Sequence, residues 1–324
     1  MNTSASEALR DEPTGEATQQ LRTHSGRSAI GLVAPPTAAE VHELEALGVA
    51  SLWVGGHVAS RNPSPEAIVW LARLVEQSST AIVGTATLLL PLYPPALIAK
   101  QIADLDRAAQ GRLAIGIGVG GEYPSDFDAC EVPITERGSR TDEAIELLRA
   151  FWTAEPVTHQ GLHHRYDAIR IHPAPAQPGG PPIIVTGRQP VAMRRAARLG
   201  DGWMPYLYSP ERYARSVANI RDEAGRLSRD LTGFKWFAYV FVSLDDDPAR
   251  ARETAVEFLG GTYASDFGQM IERVACIGNV EQVAERLQAF INAGAEHLVL
   301  VPIGRSRQET AKRLLTEVRP LLNA

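Results

Sequence analysis

The sequence predicts an α/β fold, a (β/α)8 TIM barrel carrying insertions. Three observations point there. The apolar segments are nearly continuous runs, as strands are when helices cover both faces of their sheet. They alternate with helical patterns about eight times, enough to close a barrel. The length of 324 residues suits one such barrel, typically about 250 residues before insertions. A doubly wound open sheet is the second choice. It normally places a Gly-rich phosphate-binding turn after the first strand, where this chain has Ala34-Pro35-Pro36.

Taken in order, residues 28–33 form the first strand, closed by Pro35 and Pro36. Residues 38–47 are helical, with Val41, Leu44 and Leu47 on one stripe and Gly48 as the cap. The second strand, 50–54, runs into Gly55-Gly56-His57, and 65–76 is the next helix. The third strand, 81–90, stops at Pro91, and the helix of 95–109 stops before Gly111. The fourth strand lies within 112–123, followed by a helix over 136–152 with Ala144, Leu147, Leu148 and Phe151 at buried-stripe spacing. Residues 157–171 alternate around Gln160-Gly161 and predict a hairpin insertion.

A Pro-rich connector leads to the fifth strand, 183–186, and Gly187-Arg188-Gln189-Pro190 opens a helix running to Leu199. The sixth strand is 202–204, with a helix over 210–226, and the seventh is 234–244. Asp245-Asp246-Asp247-Pro248 starts another helix. A Gly-rich loop at Gly260-Gly261 and a helical stretch over 267–274 form a second insertion. A helix over 280–293, an eighth strand over 297–301 and a helix over 308–322 complete the chain. Residues 1–27 are polar and predict a disordered tail, leaving 28–324 as a single barrel domain.

The fourth strand is the oddest. Leu113, Ile115, Ile117 and Val119 alternate with Ala114, Gly116, Gly118 and Gly120. One face is bulky and the other is almost bare. Glycine weakens a strand interior, so the bare face needs a reason. One is close packing against bare backbone. The other is a flat ligand lying on it, with Glu122 at the edge. As the fourth unit of a barrel, the strand puts Gly118 and Gly120 near the mouth and Gly116 in the packed interior.

Bulk properties exclude several classes. The net charge of -6 argues against a general nucleic-acid surface. No apolar run is long enough to span a membrane. Cys130 and Cys276 are far apart and without metal spacing, which suggests a reducing compartment. Active groups of a barrel follow the C-terminal ends of its strands. Those positions hold His57, residues 85–90, Glu122, Arg188 and the aromatic residues Trp203, Tyr206 and Tyr208. The set is poor in metal ligands, and the adjacent His163 and His164 of the hairpin would point to opposite faces, so no metal site is expected. A Schiff-base lysine is not expected either, since Lys235 stands at the wrong end of its strand. Arg188 at a helix start suits a phosphate or is a solvated arginine. His57 suits hydrogen bonding to a ring or proton transfer near neutral pH, or is an ordinary polar group. The three aromatics either fill the core or wall a pocket for a flat ring.

These segments, in this order, resemble the luciferase-like monooxygenase superfamily of flavin- and deazaflavin-dependent oxidoreductases. The resemblance covers roughly residues 29–321. It rests on Ser-Leu-Trp-Val-Gly-Gly-His (51–57), Val-Gly-Thr-Ala-Thr-Leu-Leu-Leu-Pro (83–91) and Gly-Arg-Leu-Ala-Ile-Gly-Ile-Gly-Val-Gly-Gly-Glu-Tyr (111–123). It continues through Glu-Arg-Gly-Ser-Arg-Thr-Asp-Glu (136–143), Pro-Pro-Ile-Ile-Val-Thr-Gly-Arg (181–188), Gly-Asp-Gly-Trp-Met-Pro (200–205) and Asn-Ala-Gly-Ala-Glu-His-Leu-Val-Leu-Val-Pro (292–302).

The resemblance implies a barrel whose cofactor ring lies across the strand mouths. His57 would face the ring, and Thr85, Ala86 and Thr87 would back it, with a non-proline cis peptide at Ala86-Thr87. Gly118 and Gly120 would lie beside it, and Trp203 would be part of the cofactor wall. Gly187 and Arg188 would hold the phosphate tail. Glu122 lies within a residue of an acid proposed as proton donor in sugar-phosphate dehydrogenases of the deazaflavin branch, making His57 and Glu122 the expected catalytic pair. One departure stands out: members commonly carry Glu or Asp just before the histidine, and this chain has Gly56.

The implied activity is hydride transfer with coenzyme F420 on a small organic substrate. The alternatives are monooxygenation with reduced FMN supplied by a separate reductase, and flavin binding without catalysis. A cytoplasmic homodimer is the expected form, its pocket walled by residues 61–65, 206–208 and 260–267.

Overall fold

Apolar runs of three to ten residues lie side by side and in parallel in the computed structural model, which describes residues 29–263 and 265–323. The expected N-terminal tail, 1–27, lies outside the described residues. In chain order the elements are β1 (Ala29–Val33), α1 (Ala38–Ala46), β2 (Ser51–Val54), α2 (Ala67–Gln77), β3 (Ile82–Leu89), α3 (Pro95–Ala108), β4 (Leu113–Gly118), α4 (Pro124–Ala129), α5 (Arg137–Phe151), β5 (Val157–Gln160) and β6 (Arg165–Ile169). There follow β7 (Ile183–Thr186), α6 (Pro190–Leu199), β8 (Gly202–Met204), α7 (Pro210–Arg226), β9 (Lys235–Leu244), α8 (Pro248–Tyr263), α9 (Ile271–Val274), β10 (Ala275–Gly278), α10 (Val280–Asn292), β11 (His297–Ile303) and α11 (Arg307–Arg313).

Eight strands close the barrel in the order β1, β2, β3, β4, β7, β8, β9, β11 and back to β1, every pairing parallel. All their C-terminal ends therefore share one mouth. β5 and β6 form the expected antiparallel hairpin between α5 and β7.

The two faces of each strand have different jobs. On β4, Leu113, Ile115 and Ile117 join the large outer core under the helices. Ala114 faces inward with Trp53, Ile82, Ile184, Met204, Phe237 and Val299. Trp53 spans that interior, edge-on to Phe237 at 5.3 Å, with its indole N–H donating to Ser51 Oγ at 2.7 Å. A Cβ on Gly84 would lie 2.6 Å from the Trp53 ring, so the bulky ring needs a bare neighbour. Gly116 is bare for the same kind of reason: its Cβ would come within 2.0 Å of the Thr85 carbonyl oxygen.

Elsewhere local chemistry sets the elements. In α2, Ile68, Leu71, Leu74 and Val75 bury one stripe. Asn279 and Gln282 form a capping box at the start of α10. The turn of residues 78–81, which feeds β3, is clasped from two sides. The Glu45 carboxylate accepts from the backbone N–H groups of Ser79, Thr80 and Ala81. The Arg112 guanidinium donates to the carbonyls of Ser78 and Ala81.

Three local expectations are corrected. Gly260 and Gly261 are not a loop; they lie in the last turns of α8, which Ala251, Ala255 and Leu259 anchor in the core. The second insertion also contains a strand: β10 pairs with the upper half of β9, outside the barrel ring, from Ala275 opposite Phe241 to Gly278 opposite Leu244. Between β4 and α5 stands the short helix α4, begun by Pro124. The second insertion packs Leu259, Phe267 and Ile271 on Phe241, Val301 and Ile303. That apolar cap covers the β9–β11 side, and the Tyr123 hydroxyl donates to the Thr262 carbonyl of α8.

Candidate active site at the barrel mouth

The loop after β2 begins with two glycines because the backbone there is crowded. A Cβ on Gly55 would lie 2.7 Å from the Ala86 carbonyl oxygen, and one on Gly56 would lie 2.1 Å from that of Pro65. In this backbone conformation a side chain at Gly56 would clash with the Pro65 carbonyl, so a carboxylate preceding His57 would require the loop to shift. A carboxylate reaches His57 all the same, from α4. Asp126 Oδ2 lies 2.8 Å from His57 Nδ1. Its Oδ1 accepts from the backbone N–H groups of Val58 at 2.8 Å and Ala59 at 2.7 Å. The Asp126 side chain is 1% exposed and that of His57 27%, so the pair is buried at its base and open at the imidazole. The Tyr123 ring stands edge-on to His57 at 4.8 Å.

β3 supplies a ledge. Its pairing with β4 slips between Thr85 and Leu88, and the peptide between Ala86 and Thr87 is cis, as the resemblance implied. The hydroxyls of Thr85 and Thr87 both donate to the Gly116 carbonyl, at 2.8 and 3.0 Å. Thr87 and Thr186 hydroxyls lie 3.1 Å apart, and Thr186 donates to the Ile117 carbonyl. A Cβ on Gly118 would sit between those two threonines, 2.9 to 3.1 Å from their side-chain atoms. The ledge is therefore backbone and hydroxyl, flat and uncharged. Thr85 is fully buried beneath it.

Gly120 sits differently from Gly118. It adopts φ +67°, and its missing side chain points at the Phe127 ring, 3.2 Å away. It turns the chain so that the next residues cross the mouth. Glu122, exposed, accepts a hydrogen bond from the Tyr206 hydroxyl at 2.5 Å. The Arg188 guanidinium lies over the Tyr206 ring, 5.0 Å from its centre. Burial, with the Glu122 charge second, pushes the Tyr206 phenol well above its ordinary range. Tyr206 in turn stacks on Tyr263 of α8 at 6.4 Å.

The loop that carries Gly187 and Arg188 is pinned through its carbonyls. Gly187, at φ +132°, accepts at its carbonyl from the Trp203 indole N–H at 3.0 Å. The Arg188 carbonyl accepts from the Tyr208 hydroxyl and an Arg212 N–H, both at 3.0 Å. Trp203 is fully buried against Tyr208 and Tyr213, so its ring does not face the mouth; it braces the Gly187 loop from behind. Tyr208 is likewise buried.

The structure thus brings together His57, Ala86, Thr87, Gly118, Thr186, Glu122 and Arg188 around one mouth, and withdraws the side chains of Thr85 and Trp203 from it. Asp126 was not among the expected site residues. Its only local signal is an acid in a first helical turn after Pro124, and its partner is 69 positions away. The geometry offers an imidazole oriented by a carboxylate, an uncharged ledge, and an acid–phenol–guanidinium row of Glu122, Tyr206 and Arg188.

Comparison with known proteins follows the same direction. A family model described as luciferase-like monooxygenase matches residues 18–297. The F420-dependent glucose-6-phosphate dehydrogenase of Kineococcus radiotolerans is 30% identical over 315 residues, covering 86% of this chain and 90% of that protein. An uncharacterised protein of Mycobacterium tuberculosis is 38% identical over 142 residues, 43% of this chain, and the match spans about half of that relative, 48%. An F420-dependent secondary alcohol dehydrogenase, solved with an F420–acetone adduct, superposes with a TM-score of 0.82 at 18% identity, over 92% of this chain and all of that one; it shares the fold.

Proposed function

The chain belongs to the luciferase-like monooxygenase family of oxidoreductases, and we propose that it transfers hydride between the deazaflavin coenzyme F420 and a small organic substrate. The observation that carries this reading is the His57–Asp126 pair, set at the end of β2 beside the uncharged Ala86–Thr87 ledge. The 30% identical relative named for F420 supports the deazaflavin over FMN.

The residues present fit a flat ring with a phosphate tail. Ala86, Thr87 and Gly118 would back the ring, with the Thr87 and Thr186 side chains packed on Gly118. The Gly187–Arg188 loop, which leads into the start of α6, would hold the tail with the Arg188 guanidinium and the N-terminal end of that helix. When bound, the cofactor supplies the carbon that gives or accepts hydride. The chain supplies the proton handling. His57 takes the substrate hydroxyl proton at Nε2 as the carbonyl forms, or returns it in the reverse direction. Glu122, held by the Tyr206 hydroxyl, provides a second acid–base group at the end of β4. A homodimer working in the cytoplasm belongs to the same reading, as does, were the cofactor FMN, a separate reductase.

Fluorescence titration of the apoprotein with F420 and with FMN tests the proposal. Saturable binding of F420, followed in stopped flow by substrate-dependent reduction of the bound coenzyme, is expected. Micromolar FMN affinity without deazaflavin binding refutes the cofactor choice, and binding with no redox change for any substrate favours a flavin-binding protein without catalysis.

A further inference from the structure

We propose that Asp126 is a positioning residue that sets the tautomer of His57, making its mouth-facing nitrogen a proton acceptor. The inference rests on the reading of His57 as the proton-handling group, and adds the cause of that role.

As a carboxylate, Asp126 has acceptors only. Its Oδ1 is taken by two backbone N–H groups, those of Val58 and Ala59, and its Oδ2 faces His57 Nδ1 at 2.8 Å. The proton of that contact therefore sits on Nδ1. Neutral imidazole carries one N–H, so Nε2 holds a lone pair. Among the described residues none bonds Nε2, and the His57 side chain is 27% exposed at the end of β2. The Val58 and Ala59 contacts do more than bury a charge. They tie the carboxylate to the same loop that carries His57, so ring and carboxylate keep their relative orientation. Position 56, where a Cβ would come within 2.1 Å of the Pro65 carbonyl oxygen, does not supply that carboxylate; α4 does.

Asp126→Asn keeps size and shape but changes the donor pattern. The amide oxygen must face the two backbone N–H groups, since turning the amide over would oppose donor to donor. Its NH2 then faces Nδ1 and donates to it, and His57 is forced to carry its proton on Nε2. Nitrogen-15 NMR of the cofactor-free protein, with His57 assigned against His57→Gln, reads the tautomer directly. The wild type should show a pyrrole-type Nδ1 and a pyridine-type Nε2, and Asp126→Asn the reverse. In turnover with a substrate, Asp126→Asn should lower kcat by ~10²–10⁴-fold with KM and F420 affinity little changed. An Nε2–H tautomer in the wild type overturns the proposal whether or not the variant folds, and so does an unchanged tautomer in a folded Asp126→Asn. The NMR result does not depend on the cofactor, so a failed F420 titration would remove the functional reading and leave this one standing.

Discussion

Replacing Glu45 by Gln should destabilise the barrel far from its mouth, and by an amount the hydrogen bonds set. Glu45 Oε1 accepts from Ser78 Oγ at 2.7 Å and from the N–H groups of Ser79, Thr80 and Ala81 at 2.9 to 3.0 Å. Its Oε2 accepts from Ser79 N–H and Oγ at 3.2 and 3.0 Å. Burial opposes ionisation, but the N–H groups of Ala81, Thr80 and Ser79 and the Ser78 hydroxyl outweigh it and hold the carboxyl at about 2, against an ordinary 4.5. A shift of that size sets a ceiling of about 3 kcal/mol. The group is partly exposed, and solvent screening reduces the expected contribution to about 1–2 kcal/mol. Because the folded value is depressed, the stabilisation is fully present above pH 4.5 and is lost as pH falls toward 2. Thermal unfolding followed by circular dichroism should show Glu45→Gln melting about 2–5 °C below wild type at pH 7. At pH 3.5 the gap should narrow by about two-fifths, because the unfolded carboxyl has by then taken up its proton. Equal melting at pH 7, or a gap that acid leaves unchanged, would refute the clasp.

Three further substitutions probe β4 and the Gly187 loop. Gly116→Ala drives a Cβ to within 2.0 Å of the Thr85 carbonyl oxygen, a backbone atom, whereas Gly118→Ala meets only side-chain atoms of Thr87 and Thr186. The first should cost about 3 kcal/mol or more and leave little soluble protein, while the second should fold, melt within a few degrees of wild type and weaken F420 binding about tenfold. Trp203→Phe removes the donor to the Gly187 carbonyl, and should cost about 1 kcal/mol in chemical denaturation together with a severalfold loss of cofactor affinity. Unchanged affinity would show that the brace does not reach the ligand.

The repeating strand–helix architecture was legible from residues close in sequence. The apolar runs at 29–33, 82–89 and 297–303, the proline starts of α3, α6 and α7, and the alternating hairpin around Gln160-Gly161 are all local, because periodicity and turn chemistry act over a few residues. The bare face of β4 was equally visible. Its meaning was not: Gly116, Gly118 and Gly120 have one pattern and three environments, set by Thr85, by two threonines and by Phe127. Other local signals misled. Gly260-Gly261 reads as a loop, yet the buried stripe of α8 outweighs the glycine penalty, and Ala-Cys-Ile-Gly at β10 is too short to announce a strand before β9 offers it an edge.

The site divides the same way. His57, Glu122 and Arg188 announced themselves as polar residues at strand ends, since a barrel of parallel strands must place those ends together. That Trp203 braces the Gly187 loop from behind, and that the carboxylate missing before His57 arrives from Asp126, depended on barrel closure. Sequence alone determined that His57, Glu122 and Arg188 stand at strand ends. Only the closed barrel decided which of them touch, because contacts between positions tens of residues apart are made by the packing of strands and not by anything their neighbours in the chain encode.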